Sequence, residues 1–155
     1  MQKLHLPDHG VKTKHGDAGP VVFDPVRRRW VALTPEEWVR QHFLNHLVHG
    51  LQCPLPLLSV ERSLVLNGLA KRADIVINDA AGAPVALVEC KAPSVPIGQA
   101  AFEQAARYNK VFQVPYLFIT NGLTHFCCIV DHQQGTVRFL KALPTYKDMC
   151  RVPRP

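Results

Sequence analysis

The spacing of apolar residues along this chain changes period several times, and the changes mark out most of its elements. Residues 1–20 show no periodicity and read as a loose arm. Two short apolar pieces between Val21 and Leu33, interrupted by Asp24-Pro25 and Arg27-Arg28-Arg29, suggest a small hairpin or an extended lead-in. Thr34-Pro35-Glu36-Glu37 announces a helix, with Thr34 as N-cap, Pro35 at the first helical position and Glu37 closing a capping box. Its apolar stripe is Val39, Phe43, Leu44, Leu47, Val48 and Leu51, and Gly50 follows His49 as a stop.

Beyond Pro54 and Pro56 the pattern shifts to strands. Leu57–Leu66 is closed by Asn67-Gly68; Arg72–Asn78 and Pro84–Lys91 flank a turn at Asp79–Ala83. Pro93 and Pro96 break the chain, and Ile97–Phe112 has helical spacing. Tyr116–Thr120 is a short apolar strand ending at Asn121-Gly122. Leu123–Val130 and Thr136–Leu140 read as a final hairpin about Gly135. The order is helix, three strands, helix, strand, hairpin: an α/β domain over residues 21–143, with an irregular tail over 144–155.

Composition narrows the classes. The chain has 155 residues, 47% hydrophobic and 19% charged, which is one ordinary globular domain. No apolar run approaches the ~20 residues of a membrane helix, and Met1–Pro20 lacks the apolar core of a secretory signal. The five cysteines form no CxxC pair, so a disulfide framework or zinc ribbon is not expected and a cytoplasmic setting is. Vicinal Cys127-Cys128 should face opposite sides of one strand. A surplus of 18 Lys and Arg over 12 acids, a net charge of +6, suits a polyanionic partner.

The chemistry concentrates on the central hairpin, Arg72-Ala73-Asp74-Ile75-Val76-Ile77 and Val85-Ala86-Leu87-Val88-Glu89-Cys90-Lys91. A turn centred between Ala81 and Gly82 pairs residues whose numbers sum to 163, so Val85 faces Asn78, Leu87 faces Val76 and Glu89 faces Asp74. Alternation puts Asp74, Glu89 and Lys91 on one face. Two carboxylates with Cβ atoms ~5 Å apart repel each other unless something neutralises them. A divalent cation fits, since Mg²⁺ takes carboxylate oxygens at ~2.0–2.1 Å. Lys91 is placed to stabilise developing negative charge. These are the parts of metal-assisted phosphodiester hydrolysis; the competing reading is a surface hairpin with solvated charges.

Asp74…Glu89-Cys90-Lys91 resembles the D…(D/E)-x-K signature of the PD-(D/E)XK nuclease superfamily, with Ala73 where the name's proline would stand. The longer strings Lys71–Val76 and Glu89–Pro93 resemble the N-terminal nuclease domain of type I restriction enzyme R subunits. Thr34–Gln41, Gln104-Ala105-Ala106-Arg107-Tyr108 and Thr120-Asn121-Gly122 agree with it, over roughly residues 23–140. The resemblance implies a mixed sheet flanked by helices, with a restriction-endonuclease-like αβββαβ core to which the C-terminal hairpin is an addition. It implies Mg²⁺ as cofactor, with Mn²⁺ as a substitute, held by Asp74 and Glu89, with Lys91 assisting. It also implies that Gln104 and Tyr108, on one helical face at i, i+4, place DNA or the lysine.

Other residues are candidates on weaker grounds. Glu36 falls near the middle of the first helix's stripe and is the expected helix acid at the site, with Glu37 as alternative. Arg40, on the same face, calls for a partner acid or a phosphate. Arg72, Lys71 and Arg27-Arg28-Arg29 are candidate phosphate contacts. His42, His46 and His49 share a helical face opposite the stripe and read as solvated rather than zinc-binding. Trp30 and Trp38 read as packing residues. No GxxxxGK[ST] motif is present, so no translocation motor is expected in this chain. The expected partners are DNA and, as alternatives, restriction or repair subunits supplying a motor or specificity, or a second copy of the chain; no membrane is among them. The rival from another class is a catalytically silent DNA-binding or interaction module of the same fold.

Overall fold

A computed structural model of the protein describes residues 1–151. The elements are β1 (Thr13–Gly16), β2 (Gly19–Asp24), β3 (Arg29–Ala32), α1 (Pro35–His49), β4 (Leu58–Leu66), β5 (Leu69–Asn78), β6 (Pro84–Cys90), α2 (Gln99–Phe112), β7 (Tyr116–Thr120), β8 (His125–Asp131), β9 (Thr136–Phe139) and α3 (Tyr146–Arg151). Strands β4 to β9 form one six-stranded sheet in sequence order, antiparallel except for the parallel β6–β7 pair that α2 connects. The expected mixed α/β sheet is therefore present, with the αβββαβ order followed by a hairpin.

One helix covers each face. Phe43, Leu44 and Leu47 of α1 pack with Ile75, Ile77, Val88, Phe118 and Cys127. Ala101, Ala105 and Tyr108 of α2 pack with Val76, Leu87, Leu117, Ile119 and Cys128. Neighbouring strand residues thus enter opposite cores, which is why β6 and β7 are apolar at nearly every position. Cys127 and Cys128 divide between the faces as expected, and all five cysteines are free.

The central hairpin keeps the expected register at Ile75↔Val88, Val76↔Leu87 and Ile77↔Ala86. Asn78 pairs with Pro84 rather than Val85, because a bulge interrupts the ladder after Ile77. At the other end the alternation fails. Ala73 joins the α2-side core although Ile75, two residues on, joins the α1-side core.

The N-terminal residues are not a loose arm. β1, β2 and β3 form a separate antiparallel sheet. Leu4 is buried, and the His5 amide donates to the Gly122 carbonyl at 2.8 Å. The anchoring is mostly backbone pairing around one leucine, which leaves no apolar period to read. Gly122 has φ +84°, and a Cβ there would lie 2.7 Å from a Leu4 methyl, so this contact requires glycine.

The same segment covers part of the helix face read as solvated, while His49 stays exposed. His42 is buried against Trp38 at 4.1 Å between ring centroids, His9 stacks on His46, and Trp38 Nε1 donates to the Gln2 carbonyl. The tail also departs from expectation. Residues 146–151 form α3, with Met149 fully buried and the Tyr146 hydroxyl donating to the Asn78 carbonyl. The remainder of that expectation, 152–155, lies outside the described residues.

Candidate active site

The site sits where the β5–β6 ladder ends, between the N-terminal turn of α1 and the middle of α2. Thr34 caps α1: its hydroxyl accepts from the Glu37 amide at 3.1 Å. The reciprocal half of the capping box is missing because the Glu37 carboxylate is drawn inward to guanidinium groups. It accepts from Arg27 Nη2 at 2.5 Å and from Arg40 Nη1 at 2.6 Å.

Asp74 is buried and engaged at both oxygens. Oδ1 accepts from Arg40 Nη2 at 2.8 Å and Oδ2 from the Cys90 amide at 2.7 Å. Glu89, also buried, lies within the electrostatic reach of Asp74 at this end of the hairpin. Burial, and then the charge of Asp74, pushes Glu89 up to about 8, with Lys91 opposing. Lys91 Nζ lies 3.2 Å from Glu89 Oε1 and donates to Gln104 Oε1 at 2.7 Å. Gln104 Nε2 donates in turn to the Tyr108 hydroxyl at 3.1 Å. A chain of contacts thus runs Glu89–Lys91–Gln104–Tyr108, with Asp74 close enough for its charge to act on Glu89.

The backbone after β6 is fixed by the Thr120-Asn121-Gly122 stretch. The Lys91 amide donates to the Thr120 carbonyl at 2.8 Å, and Asn121 Nδ2 donates to the Val95 carbonyl at 2.9 Å. These two bonds tie the proline-broken loop to the end of β7 and hold Lys91 just past the C-terminal end of β6, facing α2.

The two helix acids take different places. The Glu37 side chain is 10% exposed and locked between Arg27 and Arg40; that of Glu36 is 48% exposed, with Oε1 3.8 Å from Arg40 Nη2. Burial and the charge of Asp74 raise the Glu36 carboxyl above its usual range, against Arg40 and Lys91. Glu36 thus lies within the field of the hairpin, on a cleft of about 510 Å³ that it shares with Glu37, Arg40 and Glu61. Arg40 finds acids: Glu37, Asp74 and Glu61 Oε1, the last at 3.2 Å.

Arg27 corrects an expectation. It is not a phosphate contact but an internal cation, bonded to Asp24, Glu37 and Glu61. Arg72 and Lys71 are exposed; Arg72 lies 3.6 Å from Glu61. Sequence reasoning missed Glu61, which meets Arg27, Arg40 and Arg72 from the middle of β4 with φ +52°. A glutamate beside Arg62 in a strand of mixed polarity gave no signal, and the left-handed backbone that turns it to the site leaves none.

The charge balance bears on a metal. Asp24, Glu36, Glu37, Glu61, Asp74 and Glu89 supply six carboxyl groups against four cations, Arg27, Arg40, Arg72 and Lys91, so full ionisation leaves two negative charges in excess. One divalent cation matches that excess. Among the described residues no three His, Cys, Asp or Glu side chains form a metal-binding group. The donors at hand are the Asp74 and Glu89 carboxylates, and two carboxylates with several retained waters are an ordinary Mg²⁺ set.

Residues 35–144 match the family described as type I restriction enzyme R protein N terminus (HSDR_N). The chain belongs to this family. The match takes in Glu36, Asp74, Glu89, Lys91, Gln104 and Tyr108, so the contact chain above is part of the HSDR_N region. A structure described as a fragment of an HsdR subunit of a type I restriction enzyme from Vibrio vulnificus YJ016 has a similar fold, with a TM-score of 0.56 and 21% identity. The alignment covers 78% of this chain and 25% of that one, so the chain spans about a quarter of the fragment's length. Comparison with curated proteins finds no match. No helix among the described residues is long and apolar enough to cross a membrane.

Proposed function

We propose that this HSDR_N domain hydrolyses phosphodiester bonds in DNA with Mg²⁺, or Mn²⁺ in its place, and that it is a PD-(D/E)XK nuclease. The observation that carries the reading is the pair of buried carboxyl groups, Asp74 and Glu89, beside a lysine fixed by Gln104. Asp74 and Glu89 would hold the cation, which supplies Lewis-acid polarisation of the scissile phosphate. Lys91 presents its ammonium where negative charge develops on the phosphate. Gln104, itself steadied by Tyr108, holds that ammonium in place. Glu36 extends the acidic cluster toward the cleft, and Arg40 fixes Asp74 from α1.

Family membership supports a role in restriction and joint action with subunits that supply a motor or specificity. A cytoplasmic setting and a second copy of the chain as partner belong to the same proposal.

The test is cleavage of supercoiled plasmid and of single-stranded DNA by the purified protein with Mg²⁺, Mn²⁺ or EDTA. Cleavage should need the metal and fall at least about 10²-fold in Lys91→Ala, the scale of losing one preorganised charge-stabilising group. The cation should also raise the melting temperature of the wild type but not of Glu89→Gln. Cleavage that persists in EDTA and in Glu89→Ala would refute the mechanism. A metal-dependent rise in melting temperature without cleavage would favour the silent module.

A further inference from the structure

Beside the contact chain, on the side of α2 that carries Gln104 and Tyr108, the tip of the β4–β5 hairpin faces the helix across an open cleft of about 260 Å³. It is lined by Asn67, Leu69, Lys71, Gln104, Arg107 and Tyr108. Three features give it the character of an anion site. Lys71 and Arg107 are exposed, and among the described residues neither makes an ion pair. Glu103 stands one turn before Arg107, the spacing at which a helical ion pair forms, yet its carboxylate accepts from Gln99 Nε2 instead. The Tyr108 hydroxyl accepts from Gln104 and, among the described residues, has no acceptor for its own proton. Two uncompensated cations and a free O–H donor therefore line one cleft, joined to Lys91 through a single glutamine.

We propose that this cleft is a phosphate subsite for the nucleic-acid backbone, holding the phosphates that flank the scissile one along the same strand. Lys71 and Arg107 make the ionic contacts, the Tyr108 hydroxyl donates to a phosphate oxygen, and Leu69, 61% exposed at the hairpin tip, lies against a sugar. The assignment rests on the nuclease reading and extends it with Arg107 as a substrate-holding residue. It also gives a direction: the strand runs from the catalytic hairpin across the middle of α2 toward the β4–β5 turn. A cleft open along the surface suits a continuous backbone, whereas a free phosphate or nucleotide is better held in an enclosed pocket.

The experiment uses the full chain in EDTA, so that no strand is cut, and a fluorescein-labelled 20-base-pair duplex. Affinity is read by fluorescence anisotropy at several NaCl concentrations. The Lys71→Gln/Arg107→Gln double variant should lower the slope of log affinity against log salt by about 1.8, two phosphate contacts at ~0.9 each. Tyr108→Phe should weaken binding about threefold with no change of slope, the scale of one hydrogen bond. Arg138→Gln on β9, at the opposite edge of the sheet, should change neither. Titration of the wild type with inorganic phosphate at matched ionic strength should show no saturable binding.

An unchanged slope in a double variant that melts like the wild type overturns the subsite, as does saturable phosphate binding abolished by the same substitutions. Should those substitutions unfold the chain, the single Arg107→Gln variant, expected to lose about 0.9 of slope, decides in the same way. A reduced slope in a protein that never cleaves DNA keeps the subsite and removes the nuclease reading. Cleavage with an unchanged slope does the reverse.

Discussion

Two groups of buried and half-buried acids meet at Arg40, and they are built on opposite terms. In one, Asp24, Glu37 and Glu61 surround Arg27, and Glu37 and Glu61 also reach Arg40, so each carboxylate has a guanidinium. In the other, Asp74 and Glu89 lie together with one arm of Arg40 and Lys91 for company, and Glu89 is raised to about 8. The first group is closed: it ties the N-terminal sheet, α1 and β4 to one another. The second is left short of positive charge, at the edge of a cleft. Buried charge that is matched serves as scaffold; buried charge left unmatched is available to a ligand.

The largest effect should come from breaking the closed group. Arg27→Met strips the buried Asp24 of its salt bridge and leaves Glu37 and Glu61 with fewer cations. Urea unfolding should show a loss of about 3–5 kcal/mol, the usual cost of leaving buried charge without its partner. A loss below about 1 kcal/mol would mean that the network is relaxed by water and is no scaffold. Removing Lys91 should cost far less stability while lowering cleavage, because Glu89, raised to about 8, can keep its proton once the lysine is gone.

The two groups differed in how legible they were. Asp74, Glu89 and Lys91 could be found because the expected pairing holds from Ile77↔Ala86 to Ile75↔Val88, next to Asp74 and Glu89, although a bulge shifts it near the turn and the alternation of β5 fails at Ala73. The helix carrying Glu36, Glu37 and Arg40 was announced by its cap. The closed group was hidden. Arg27 stands in a run of three arginines that looks like solvated surface, and its partners come from positions 24, 37 and 61. Glu61 turns inward through a backbone conformation that its residue type does not signal. Which of Glu36 and Glu37 enters the structural network was equally beyond helical periodicity. It depends on Arg27, a residue of the N-terminal sheet segment whose cross-strand pairing carries little apolar pattern.

The next effect tests the open group by removing its charge rather than its shape. A carboxyl raised from about 4.5 to about 8 keeps in the native state a proton that the unfolded chain has lost between those pH values. By linkage, metal-free stability falls as pH rises through that window. Glu89→Gln should therefore be neutral near pH 4.5 and stabilising by up to about 4 kcal/mol at pH 8, with a flatter profile of melting temperature against pH in EDTA. A destabilised Glu89→Gln at pH 8 would show that Glu89 is already compensated as an anion by Lys91, and the contrast between the groups would lose its basis.

The smallest effect lies where the groups share one helical turn. Thr34 accepts from the Glu37 amide, and that first turn sends Glu37 to Arg27 and Arg40 while Glu36 stays half-exposed toward Asp74. Thr34→Ala removes the cap and should cost about 1 kcal/mol. Glu37 is still held by two guanidinium groups, so its position should survive; Glu36 has only a 3.8 Å contact to Arg40 and should shift. The expected result is a modest loss of stability in which Glu89→Gln keeps its stabilising effect at pH 8. If Thr34→Ala also erased that effect, the cap would be holding Asp74 and Glu89 together through α1, and the two groups would be one.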